Sequence, residues 1–185
     1  KTKKITRFYP KSINKECTTN IINRLLKHSD GNVYAFCNRS VFKCSMNQTV
    51  ETVFPDIAIP SPTYSVAQAP DKDIYIGTES NGLYIYSENW KLKKHVPIDG
   101  IIATILPDNN GDIWLGLDET GICLFNKNKQ TFTWLHKDNT NLNNNSIRTF
   151  VSYGDSSILV GTFRGLNILN KKELTITPAN INIAG

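Results

Sequence analysis

The stretch GDIWLGLDETGICLF at 111–125 decides the fold, because the chain contains it more than once. DIYIGTESNGLYIY at 73–86 and SILVGTFRGLNIL at 157–169 follow the same template, and NVYAFCNRSVFKC at 32–44 is a degenerate copy. With Phe36, Gly77, Gly116 and Gly161 aligned, the copies lie 41, 39 and 45 residues apart. Self-similarity at such a period marks a repeat architecture, in which each unit buries its apolar faces against its neighbours.

One copy shows what the unit is. The apolar run 101–106 ends in Pro107, Asp108, Asn109, Asn110 and Gly111, which break a strand and close a tight turn. Ile113, Trp114 and Leu115 then supply β-branched and aromatic bulk, and Gly116 follows where neighbouring backbone must come close. A turn at 118–121, a strand at 122–125, a turn at 126–129 and a strand at 131–135 complete the unit. The same order recurs at 64–69, 74–77 and 83–86, and again at 147–151, 158–161 and 166–169. No segment keeps apolar residues at the i, i+3, i+4, i+7 spacing of a helix. The expected fold is therefore all-β, a β-propeller of four-stranded antiparallel blades with about 40 residues each.

The blades are expected at 17–56, 57–98, 99–138 and 139–185, with 1–16 as the outer strand of a preceding blade and 174–177 as a last outer strand. Four blades plus a stray strand, beginning in mid-pattern without Met, point to part of a larger propeller, for instance a seven-bladed one. The 185 residues carry a net charge of +5, of which the first 50 hold +8: ten Lys/Arg against Glu16 and Asp30. Because those cations alternate with Ile, Phe and Tyr, they read as a solvated strand face, and no nucleic-acid partner is expected. Cys17, Cys37, Cys44 and Cys123 fall at different places in the repeat, without a C-x-x-C pair or matching His spacing, so no metal or cofactor is expected. One disulfide remains open, and Cys123 reads as a packed thiol. No leader or membrane span appears in these residues.

The two copies at 101–135 and 141–176 carry a recognisable signature. Gly111, Ile113, Trp114, Leu115, Gly116 and Gly121 in one, and Ile158, Val160, Gly161, Thr162, Gly165 and Leu166 in the other, resemble the two-component-regulator propeller repeat. The first copy departs from it with Phe36 and Ser40 in place of glycines, and the third has Leu117 for Thr, so the first blade is expected to be irregular. The resemblance implies the periplasmic sensor region of a hybrid two-component histidine kinase of gut Bacteroides-type bacteria, an ectodomain of an inner-membrane protein. It further implies an oligosaccharide ligand, a signal passed across the membrane by segments outside this chain, further blades of the same protein, a homodimeric whole, and no catalysis in this segment.

In a propeller the turns between second and third strands, and the links from a fourth strand to the next first strand, share one face, where side chains from every blade converge. A saccharide site needs an aromatic plate for the apolar face of the sugar and amides, carboxylates or Arg for its hydroxyls. Arg39, Tyr64, Glu79, Asp118, Phe163 and Arg164 are the right types at that face. Each has a plainer reading: Tyr64 and Phe163 as loop anchors, Arg39 and Arg164 as salt links to Glu79 or Asp118, the Asn-rich run 139–145 as a turn-forming linker, and Trp114 as core. Two rival functions use the same fold. A protein-interaction scaffold would use the same face, whereas a propeller lyase would need paired His near its mouth, and His28, His95 and His136 occupy unrelated positions.

Overall fold

The computed structural model describes residues 21–37, 40–45, 50–52 and 59–179. The chain divides into two compact units, 1–63 and 64–185. In the first, β1 (Arg24–Lys27), β2 (Val33–Phe36), β3 (Val41–Cys44) and β4 (Val50–Thr52) form one antiparallel sheet in chain order. Its first turn is pinned by Asp30, which accepts from the Tyr34 hydroxyl at 2.8 Å and from the Asn32 backbone at 2.9 Å. Burial would raise the Asp30 carboxyl, but these donors outweigh it and hold the group well below the carboxylate range. Phe36, where the other copies have Gly, is fully buried and lies opposite Arg24. The outer strand expected at 1–16 lies outside the described residues, as does Cys17. Cys44 and Cys123 are free thiols, and Cys37 is buried.

The second unit carries three further four-stranded sheets, each an antiparallel meander in chain order. They are β5 (Thr63–Gln68) to β8 (Leu92–Val96) with β6 (Ile74–Thr78) and β7 (Leu83–Tyr86) between, and β9 (Ile102–Pro107), β10 (Asp112–Leu117), β11 (Gly121–Asn126) and β12 (Thr131–Leu135). The last comprises β13 (Ile147–Tyr153), β14 (Ser157–Thr162), β15 (Gly165–Asn170) and β16 (Ile176–Pro178). This is the expected architecture of propeller blades, and the sheets are called blades one to four in chain order. The final strand starts at Ile176 rather than 174, because Leu174 sits in the left-handed region (φ 56°) and closes the turn by donating to the Asn170 carbonyl.

Alternation along the second strand of each blade feeds two cores. On one side of β10, Ile113, Leu115 and Leu117 join Tyr75, Leu83 and Ile85 of blade two, while on the other Trp114 joins Ile147, Phe150, Ile158 and Val160 of blade four. The repeated glycine is the seat of this packing. A Cβ on Gly77 would stand 2.6 Å from Ile102 Cγ2, and one on Gly116 would stand 2.5 Å from Ile147 Cγ2, so the first-strand Ile of each following blade needs a residue without a side chain beneath it. The residue opposite is short in every such copy: Ser65, Thr104 and Thr149. Ser65 Oγ also donates to the Ile102 carbonyl at 2.6 Å, stitching blade two to blade three.

At the other end of the sheets a lysine clamps each of the two junctions within this unit. Lys127, after β11, reaches back to Asp71 and Asp73 of blade two, and Lys171, after β15, to Asp108 of blade three at 3.1 Å. Lys93 donates to both oxygens of the nearly buried Asp73 at 2.8 Å. Burial opposes the charge of Lys127, but its two carboxylate partners outweigh that and raise its pKa.

Candidate functional site

Two first strands contain a one-residue bulge at the same place. Between β9 and β10 the register passes from Thr104 to Ile102 while β10 advances one residue, and between β13 and β14 it passes from Thr149 to Ile147. The unpaired residues are Ala103 and Arg148, and Tyr64 holds the same alignment position at the start of β5. A bulge takes a residue out of the ladder and re-aims its side chain. In blade four that residue is Arg148, whose Nη1 donates to Asp118 Oδ2 at 3.0 Å across the blade junction. Its guanidinium carbon also lies 5.4 Å from the centre of the Phe163 ring, a cation–π approach.

The cluster is therefore Asp118, Arg148 and Phe163, with unequal exposure. Phe163 is 71% exposed, Arg148 about half exposed and Asp118 mostly buried. The turn that carries Asp118 is fixed at its root by a bond from the Asp118 amide to the Ile101 carbonyl at 3.0 Å. Asp118 Oδ1 is buried without a hydrogen-bond partner among the described residues. Such an oxygen is an unfilled acceptor beside a paired cation and a bare aromatic ring. Together they supply an acceptor, a fork of donors and an apolar plate, the set that a polyhydroxylated ligand uses.

Of the residues singled out by sequence, Asp118 and Phe163 come together here. Arg164 is exposed next to Phe163, and it is Arg148 rather than Arg164 that pairs with Asp118. Glu79 stands half-buried in the turn after β6, and Tyr64, half-buried, is the second residue of β5 rather than part of a loop. No hydrogen bond or ion pair among the described residues joins Glu79, Tyr64 or the Arg164 guanidinium to the cluster. Arg39 lies outside the described residues. Trp114 is 1% exposed and belongs to the core. Arg148 lies inside a first strand rather than on a connecting turn, which is why it is not among the residues singled out by sequence, although the aligned copies place it level with Tyr64.

The fold and this convergent end define the chain as a run of β-propeller-type blades. Among solved structures, the extracellular domain of the hybrid two-component system BT4673 from B. thetaiotaomicron is similar over 98% of this chain and 24% of its own, with a TM-score of 0.75 at 17% identity. The extracellular domain of the hybrid two-component system BT3049 from the same organism matches 91% of this chain and 24% of its own, with a TM-score of 0.67 at 23% identity. PorZ, a bacterial surface component of the type-IX secretion system of Porphyromonas gingivalis, matches 84% of this chain and 26% of its own, with a TM-score of 0.69 at 12% identity. The chain thus spans about a quarter of the length of these solved chains. No family model matches it, and neither does any curated protein.

Proposed function

We propose that this chain is part of the ligand-sensing propeller of a hybrid two-component sensor, lies outside the cytoplasmic membrane, and takes an oligosaccharide. The observation that carries the reading is the Asp118–Arg148–Phe163 cluster, in which Arg148 is the residue that a bulge leaves out of the strand pairing. Likeness of fold to two sensor ectodomains supports the sensor role. A sensor binds without turning its ligand over, and the cluster suits that: a carboxylate already paired with Arg148 is a positioned acceptor rather than a proton shuttle. Signal transfer, in this reading, is a shift between blades three and four when a ligand displaces the Arg148–Asp118 bond, because the two residues stand on opposite sides of that junction.

Titrating the intact protein with a panel of gluco-, xylo-, manno- and arabino-oligosaccharides in a calorimeter tests the proposal. Binding heat is expected, with affinity reduced about tenfold, or about 1.4 kcal/mol, by Arg148→Gln or Phe163→Ala. A second reading, a scaffold for protein partners, is favoured by the likeness to PorZ. Absence of heat from every saccharide, with a protein partner co-purifying through Phe163, would replace the first reading by the second.

A further inference from the structure

Phe132 and Trp134 alternate along β12 and so share one side of the strand. They are 41% and 37% exposed, although their cross-strand partners Phe125 and Cys123 are wholly buried. Phe132 stacks on Phe125 with ring centres 4.9 Å apart, so the inner ring anchors the outer one while the outer stays open. Beside the pair runs a groove of about 460 Å³ whose lining includes Asp99, Gly100 and Thr120. That volume lies within the range of small-ligand sites.

The other blades serve as internal controls. Positions equivalent to Phe132 and Trp134 hold Leu92 and His95 in β8, and Ile176 and Pro178 in β16. His95 folds back, stacking on Tyr84 at 4.4 Å with Nε2 2.7 Å from the Asn81 carbonyl, and Ile176 is buried. The blade template therefore does not call for two adjacent aromatics at its outer edge. Their backbone is nonetheless fixed: Asn139 Nδ2 donates to the Trp134 carbonyl at 2.9 Å.

The chemistry of the lining selects the occupant. A purely apolar segment laid on the rings would desolvate the Asp99 carboxylate and the Thr120 hydroxyl without replacing their hydrogen bonds. A pyranose ring presents an apolar C–H face to the aromatics and hydroxyls at its rim. We infer that the Phe132–Trp134 shelf is a saccharide subsite, in which one sugar ring lies on the two aromatic side chains and its hydroxyls bond to Asp99 and Thr120. This rests on the reading of the protein as a saccharide sensor.

Of the three tryptophans in the chain, Trp90 and Trp114 are buried, so Trp134 dominates what a quencher in solution can reach. The same oligosaccharide panel is titrated into the intact chain while heat and acrylamide quenching are followed. Expected are protection of Trp134 from quenching and a loss of affinity of roughly tenfold or more in Trp134→Ala, with Trp134→Phe keeping most of the binding. The quenching arm uses the unaltered chain and stands even if Trp134→Ala fails to fold. Heat with unchanged quenching and an unaffected Trp134→Ala would overturn the shelf and leave the sensor reading intact. Absence of heat from every saccharide would overturn both.

Discussion

Blades three and four carry the same face, which in blade three packs on blade four, and of the two that face is covered among the described residues only in blade three. There Leu106, Trp114, Gly116, Ile122 and Leu124 meet Ile147 and Phe150. In blade four the same registers hold Val151, Leu159, Gly161, Leu166 and Ile168. Val151 is 56% exposed, and only Thr149 lies within 4 Å of a Cβ built on Gly161. The template thus writes a seat into a blade whether or not a knob fills it. Strand pairing holds a blade in shape, whereas inter-blade packing gives it most of its burial.

That contrast can be tested by paired substitutions read out by urea unfolding. Trp114→Ala empties the covered face and is expected to cost about 3–5 kcal/mol, against about 1 kcal/mol for Leu159→Ala at the matching site. Next, Gly116→Ala should cost about 2–3 kcal/mol, since its methyl must displace Ile147, Thr104 and Phe150, whereas Gly161→Ala meets one side-chain methyl that can give way. Equal costs within either pair would mean that the seat on blade four is occupied in the whole protein.

The junction clamp offers a smaller effect with a pH signature. Lys127→Met should destabilise by about 1 kcal/mol at pH 7, limited by the exposure of Asp71 and by Lys93, which still holds Asp73. Burial alone would raise the Asp71 carboxyl, but the hydrogen bond and charge of Lys127 overcome it, so the folded value lies below the ordinary 3.8. A carboxyl lowered in the folded state stabilises fully above its ordinary value, and that part fades as pH falls through the lowered one. The cost of Lys127→Met is therefore expected to shrink below about pH 4. A cost that holds steady down to pH 2 would remove the ion pair from the junction. Smallest of all, Val151→Ser should change stability by no more than about 0.5 kcal/mol. A cost of 2 kcal/mol or more would show a covered face.

Much of this architecture was legible in the chain. Gly77, Gly116 and Gly161 at one period, with turn residues such as 108–111 between apolar runs, specify meanders because turn chemistry and alternation are local properties. The clamp was not legible, since Lys127 and Asp73 are 54 residues apart and nothing local couples them. Nor was the partner of Asp118: a bulge appears only when two strands are laid in register, so nothing local marks Arg148, the one charge in the strand Ile147–Tyr153, as that partner. Phe132 and Trp134 were visible, but as the mark of a fourth strand. Only the comparison of β12 with β8 and β16 shows that the strand does not need them.

The seat and the knob have a last consequence. Gly116 faces one neighbour, while Ile102, the knob of the same blade, fits the seat on the other, so a blade junction has a head and a tail. Such a contact propagates by addition in one direction and has no two-fold axis of its own. If two copies met through the open faces of their fourth blades, seat would oppose seat, and neither Gly161 notch would receive the β-branched side chain it is shaped for. A symmetric pair of these chains must be built on some other surface.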